Sequence, residues 1–276
     1  MRIAIYSSVL YGSDFIVESI RSILPHVDLV YVVLMTRPWG GTSGVTYNGE
    51  WVPWPDKFDD TREKLAAMNE PRVKVVITYK DSPWNRWGYA LDLVQTLCPG
   101  ITEIVFLDPD CVFRDEDADM IFDDWAAHPD FQWASVPQIE LWRTPAWQIK
   151  RPRMMASLHR GDLSLISDEK RKQLGVKVPL SHTLAGRVHN FGFCCSPRNT
   201  RWKHLCSMAF SPVIGESIPN PRWYEVKWLN WKPGIGDLEP SIRCESSIRE
   251  AVPYNIDKLP ASIKKRYDAG EWPVFS

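Results

Sequence analysis

Residues 104–113 read Ile104-Val105-Phe106-Leu107-Asp108-Pro109-Asp110-Cys111-Val112-Phe113. Four apolar residues of strand length run straight into two carboxylates that flank a proline. A continuous apolar run is what a strand needs when both faces of its sheet are covered. In an open α/β sheet, ligands collect just past the C-terminal ends of such strands. Two clustered carboxylates repel unless a cation sits between them, and hard oxygen ligands suit Mg²⁺ or Mn²⁺. An ordinary strand-ending turn also uses Asp and Pro, so the flanking sequence has to decide.

Upstream, strand and helix signals alternate. Arg2 to Tyr6 reads as a strand, and Asp14 to Leu24 as a helix in which Phe15, Ile16, Ile20, Ile23 and Leu24 recur at helical spacing. Pro25 stops that helix. Leu29 to Met35 and Val73 to Thr78 are strand-length apolar runs, and Asp60 or Thr61 can cap a helix through Met68. Trp84 to Leu97 reads as a helix ended by Pro99-Gly100. Downstream, Asp115 to Ala127 is an amphipathic helix and Phe131 to Val136 a strand. Strands alternating with helices predict an α/β fold with a mostly parallel sheet. Between the second strand and the helix at Thr61, Arg37 to Pro55 is a Gly/Trp/Pro-rich loop, long enough to suggest function.

After Pro137 the rhythm breaks. Val188 to Cys195 is strand-like, Thr200 to Phe210 helical, and from Ser211 onward Pro and Trp dominate. With no internal repeat, the chain reads as one continuous domain. It divides into a nucleotide-type half (1–136), an acceptor-type half (137–210) and a wrapping C-terminal extension (211–276).

Composition limits the choices. Of 276 residues, 44% are hydrophobic and 24% charged, which suits a packed core rather than a disordered chain. Lys plus Arg total 33 against 34 for Asp plus Glu, and a net charge of −1 excludes a wholesale polyanion binder. No apolar run approaches the roughly 20 residues of a membrane helix, so no integral membrane segment is expected. The cysteines Cys98, Cys111, Cys194, Cys195, Cys206 and Cys244 form no C-x-x-C pair. A reducing, cytoplasmic setting is therefore the expectation. The 14 tryptophans stand out, since large aromatic faces both fill cores and stack on sugars or bases.

Taken in order, these segments resemble the GT-A-fold glycosyltransferases, particularly the inverting family-2 enzymes. Ile104 to Phe113 looks like their metal-binding Asp-x-Asp segment. Glu18 to Asp28 with the strand from Leu29 is similar to their first helix and second strand, and Asn85 to Ala90 to the segment opening the helix before that motif. Leu141-Trp142-Arg143, Arg151 to Arg160 and Val188-His189-Asn190-Phe191-Gly192 resemble the acceptor half of a subgroup.

The resemblance implies a nucleotide-sugar donor, a UDP-sugar foremost, and a hydroxyl acceptor. The acceptor would be a glycan, or a hydroxymethylated base in DNA. Asp110 would bind Mn²⁺ or Mg²⁺, Asp108 the ribose or the metal shell, and His189 would complete that shell or touch a diphosphate oxygen. Ser7, Ser8 and Tyr11 fall where the family holds uracil and ribose, and Arg86 where it holds a basic residue near the nucleotide. The family's acidic residue after the second strand is replaced by Met35-Thr36-Arg37, with Asp81 as a substitute. Arg151-Pro152-Arg153 stands where the subgroup places its catalytic Asp, which leaves Glu140 as first candidate base and Asp162 as second.

The basic run Lys150, Arg151, Arg153, His159 and Arg160 reads either as a solvated face or as a phosphate contact. Trp142, Trp147, Trp223, Trp228 and Trp231 read as core or as stacking platforms. Three other classes stay open. A haloacid-dehalogenase-type phosphohydrolase would use Asp108 as nucleophile, though its motif sits on the first strand. A sugar nucleotidyltransferase needs a Gly-rich loop that Tyr6 to Gly12 does not supply. A non-catalytic Trp-rich sugar-binding module would not need the Asp-x-Asp.

Overall fold

Period-two alternation in the first strand sets the architecture. In β1 (Arg2–Val9), Ile3 and Ile5 join Ala90, Leu91 and Val94 on one face of the sheet. Ala4 and Tyr6 join Ile16, Ile20 and Ile23 on the other. Both faces are thus buried, as a central strand between two helical layers requires. A computed structural model describes residues 1–38, 42–78, 86–150, 153–161, 181–212, 220–236, 238 and 250–274.

In chain order, β1 is followed by α1 (Ile16–Ile23), β2 (Leu29–Met35), the hairpin β3 (Gly44–Tyr47) and β4 (Glu50–Pro53), and α2 (Thr61–Met68). Next come β5 (Val73–Thr78), α3 (Arg86–Leu97), β6 (Glu103–Leu107), β7 (Cys111–Val112) and α4 (Asp115–Ala127). The remainder is β8 (Trp133–Trp142), β9 (Thr144–Ile149), β10 (Arg153–Arg160), β11 (Ser181–Thr183), β12 (Val188–Phe193), α5 (Pro197–Phe210), β13 (Ala251–Pro253) and α6 (Ala261–Asp268).

One sheet runs β13-β9-β8-β10-β6-β1-β2-β5, with β11 and β12 also on β8, and β7 on β12. Strands β5, β2, β1 and β6 are mutually parallel, with Ile3 between Leu29 and Ile104 in register. This is the Rossmann-like α/β half expected from the sequence. At β10 the direction reverses, because β10 pairs antiparallel with both β6 and β8. Strand β8 runs across residue 136 and joins the two halves in one sheet.

The loop expected at Arg37 to Pro55 contains the β3–β4 hairpin, turned at Asn48 and Gly49 with φ of 50° and 85°. Asn-Gly is the residue pair a tight hairpin turn of this hand demands. The C-terminal extension wraps the sheet edge: β13 pairs with β9, and Arg266 on α6 reaches Glu18 at 2.9 Å. Among the described residues no helix is long and apolar enough to cross a membrane, and Cys98, Cys111, Cys194, Cys195 and Cys206 are free thiols.

Candidate functional site

The C-terminal ends of β1, β2, β5 and β6 lie along one edge of the sheet. Strand β1 carries one extra residue there, since Tyr6 and Val9 pair with Val32 and Leu34. Ser7 and Ser8 are buried in this bulge, and Ser8 takes a left-handed φ of 59°. Bulges re-aim the chain at such edges. Beyond the bulge, Gly12 lies against the Asp-Pro-Asp turn, where a Cβ on it would meet the Pro109 Cβ at 3.1 Å. Tyr11 packs with Leu10, Met35, Phe58 and Cys206. A cleft of about 240 Å³ opens beside them, lined by Leu34, Met35, Thr36, Phe58 and Ile77.

Asp108 is the first residue past β6 and is half-buried, whereas Asp110 is buried. The Asn190 amide donates to Asp110 Oδ1 at 3.2 Å, and the Lys203 ammonium pairs with Oδ2. Lys203 also donates to the Gly192 carbonyl at 3.2 Å. Gly192 has no room for a side chain: a Cβ would stand 2.9 Å from Asn190 Oδ1, 3.2 Å from Asp110 Oδ2 and 3.4 Å from Lys203 Nζ. Burial pulls the Lys203 pKa down, but the Asp110 carboxylate outweighs it and holds the ammonium well above its ordinary value. The neighbouring Cys195 thiol is pushed up to about 12 by burial, and burial with the nearby Asp110 and Asp108 raises Cys111. Both thiols stay protonated and inert.

The helix that brings Lys203 is firmly seated. The Ser196 hydroxyl caps α5 by accepting from the Asn199 N–H, and Pro197 takes the first turn. The Asn199 amide then donates to Asp14 at 2.9 Å and to Asp59 at 3.2 Å, while Asp59 accepts from the Ser13 N–H. The loop after β1 and the start of α5 therefore form one polar network under the site.

Glu140 is buried on β8 and stands opposite Asn190 in the parallel β8–β12 register. Paired residues of adjacent strands share a face, so Glu140 lies on the side of the sheet that carries Asn190 and Asp110.

His189, one residue earlier, is turned to the other side, where its Nε2 meets the Tyr254 hydroxyl at 2.7 Å. Burial lowers its pKa to about 4. The expected ligand set of Asp108, Asp110 and His189 is not assembled: both Asp110 oxygens are engaged, and the imidazole faces away. These residues do not fit a divalent ion in this arrangement. Among the described residues, the His/Asp group with metal-ligand spacing is Asp124, His128 and His182. It lies at the end of α4 beside the start of β8, where His182 pairs with Ala134.

Trp142, read either as core or as a stacking contact for the acceptor, is fully buried, with its ring centroid 4.9 Å from that of Phe193 and 6.1 Å from that of Trp223. It belongs to a core with Trp223, Trp228 and Trp231, because the C-terminal extension folds over it. Two members of the basic run are packed against the protein. His159 is buried against Phe106 and Trp133, and Arg160 lies 3.6 Å over the Trp125 ring. Arg86 opens α3 and Arg153 opens β10 opposite Gln138. Asp81, Arg151 and Asp162 lie outside the described residues.

Sequence reasoning missed Lys203 and Asn199, yet a signal existed. Asn199, Lys203 and Cys206 recur at i, i+4 and i+7 on α5, which marks one inward face.

No protein-family profile matches the chain, and no curated protein matches it. Among solved structures, the inositol-1-phosphate CTP transferase from T. maritima aligns over 75% of this chain and 95% of its own, at 9% identity and a TM-score of 0.43. The 4-diphosphocytidyl-2C-methyl-D-erythritolsynthase from Anaerococcus prevotii aligns over 72% of this chain and 94% of its own, at 6% identity and a TM-score of 0.38. Neither likeness bears on activity.

Proposed function

We propose that the protein is a glycosyltransferase that moves a sugar from a nucleotide-sugar donor, a UDP-sugar foremost, to a hydroxyl acceptor on a glycan or a hydroxymethylated DNA base. The observation that carries this reading is the grouping of Asp110, Asn190 and Lys203 at the edge where β1 and β6 end, with Glu140 at the strand position paired with Asn190. Ligands of open α/β sheets bind at that edge. The cleft beside Met35 and Phe58, which also carries Asp56, Lys57, Arg62 and Glu63, would take the nucleobase, and Asp108, directly past β6, would meet a ribose hydroxyl.

In the proposed reaction the acceptor oxygen attacks the anomeric carbon, the bond from that carbon to the diphosphate oxygen breaks, and the nucleoside diphosphate leaves. Glu140 takes the acceptor's proton as general base. A carboxylate buried beside a polar cluster is suited to that role, since it is shielded from bulk water and aimed by its strand.

The test is product release from a panel of nucleotide sugars with glycan and hydroxymethylated-DNA acceptors. The expected result is nucleoside diphosphate released from one donor. The Glu140→Gln variant should lose about 10²–10⁴-fold in turnover while still binding the nucleotide. Rapid phosphate release from simple esters, dependent on Asp108, would instead assign a phosphohydrolase.

A further inference from the structure

We infer that Lys203 occupies the place a divalent cation would take at the Asp-x-Asp motif, so that the leaving diphosphate is stabilised by a fixed ammonium group. The inference rests on the nucleotide-sugar reading above and adds what neutralises the leaving group.

Asp110 presents two oxygens, and both are spoken for within the protein. Oδ2 pairs with the Lys203 ammonium, and Oδ1 accepts from Asn190 at 3.2 Å. A hard divalent ion needs several oxygen ligands around one point. Among the described residues, Asp108, Asp110 and His189 do not converge in that way. The ammonium is held by what surrounds it. Gly192 lies against the Asp110 carboxylate that pairs with it, where a Cβ would stand 3.2 Å from Oδ2, and α5 is pinned by the Asn199 bonds to Asp14 and Asp59.

Orientation matters as much as charge. The Lys203 side chain is 25% exposed and that of Asp110 10%, so the lysine is the more open member of the pair. A lysine ammonium has three N–H donors. Two are used on oxygens of Asp110 and Gly192. The third has the Cys195 sulfur in reach, a weak acceptor that a phosphate oxygen would displace. When the glycosyl bond breaks, the electron pair stays on the diphosphate oxygen. A preorganised cation there lowers the barrier without rearranging at the moment of reaction. As a positioned point charge on phosphate, lysine is well suited to this work.

The experiment is calorimetric titration of the intact protein with UDP, GDP, CDP and ADP, each in EDTA and each in Mn²⁺. The expected result is that one nucleotide binds with the same affinity in both buffers. Lys203→Arg should retain binding in EDTA, and Lys203→Met should weaken it by about tenfold or more. Because Lys203→Met strands the Asp110 charge, the double variant Lys203→Met/Asp110→Asn, with its far-UV circular dichroism checked, keeps the test readable if the single variant unfolds. It too should bind weakly in both buffers. Binding that appears only with Mn²⁺ overturns the inference and leaves the glycosyltransferase reading intact. Normal binding by the folded double variant in EDTA also overturns it. No binding of any nucleotide in either buffer removes the reading and the inference together.

Discussion

The strands on either side of β6 are filled by different kinds of core. On the β1–β2–β5 side the interior is aliphatic: Ile3, Ile5, Val30, Val32 and Val33 alternate across two faces beneath short helices. Beyond β10 the interior is built from tryptophan. Trp142, Trp223, Trp228 and Trp231 cluster over β8 and β9, and most of that cluster comes from the C-terminal extension. The aliphatic side chains ask only for burial, although Tyr6 among them also needs its hydroxyl's contact with Ser19 Oγ at 2.9 Å. The indoles also carry an N–H that must find an acceptor when buried. Trp223 finds the Leu238 carbonyl at 2.8 Å, Trp228 the Phe193 carbonyl at 2.8 Å and Trp231 the Ile235 carbonyl at 3.2 Å. One core is therefore specified by periodicity, and the other in part by particular acceptors for its indoles, near in the chain for Trp231 and distant for Trp228. The polar site lies between them: Asp110 follows a strand of the first, Glu140 and Asn190 stand on β8 and β12, whose ends carry Trp142 and Phe193 into the second, and Lys203 comes from α5.

That contrast can be broken most severely at Trp228. Replacement by Ala removes a fully buried ring and one of the two donors on the Phe193 carbonyl, which keeps the Arg143 N–H at 3.1 Å. The expected cost is about 3–5 kcal/mol in urea unfolding, against about 1 kcal/mol for Ile5→Val in the aliphatic core. Equal, small losses would mean that the extension is not part of the cooperative fold.

A second difference should appear in acid. His189 is neutral in the folded protein down to about pH 4 because burial opposes its charge, whereas an unfolded histidine takes up a proton near pH 6.5. Between those values the unfolded chain binds the extra proton, so stability falls as pH drops, by about 1.4 kcal/mol per pH unit. His189→Gln should flatten that slope in pH-dependent thermal unfolding, and an unchanged slope would remove His189 as its cause.

The smallest expected effect is at Gly192. A Cβ there would press on Asn190 and Asp110 at 2.9 and 3.2 Å. Gly192→Ala should cost about 1–2 kcal/mol by overpacking and weaken nucleotide binding by pushing the Asp110–Lys203 pair apart. Stability and binding that both match the parent protein would show that the cradle has slack.

How much was readable in advance follows the same division. Strands Leu29–Met35 and Val73–Thr78 and helix Asp115–Ala127 begin and end where their local patterns predict, because each carries its own apolar period and stop signal. Strands β9, β10, β11 and β13 lacked such a signal. Their place is set by pairing with distant segments, as β13 pairs with β9 across about a hundred residues of chain. The Asn48-Gly49 hairpin was written locally but was masked by the surrounding tryptophans and glycines. At the candidate site, Asp110 and Glu140 stand out in the sequence as candidates because each is a carboxylate beside an apolar strand. Lys203 does not, since a lysine on a polar-looking helix shows its inward face only when the neighbours at helical spacing are counted. His189 was misplaced for a simple geometric reason: adjacent strand residues point to opposite faces, so Asn190 and His189 cannot both serve Asp110.

The central claim is that the sheet edge around Asp110 receives a nucleoside diphosphate. It is tested most directly by thermal unfolding in a concentration series of UDP, GDP, CDP and ADP, for the parent protein and for the double variant Lys203→Met/Asp110→Asn. A ligand that binds only the folded state stabilises it by an amount that grows with the logarithm of its concentration, about 2.7 kcal/mol at a hundredfold excess over Kd. The account predicts that one nucleotide raises the midpoint in this way and that the double variant loses most of the rise. A nucleotide shift of undiminished size in the double variant, or none from any nucleotide in the parent protein, would contradict it.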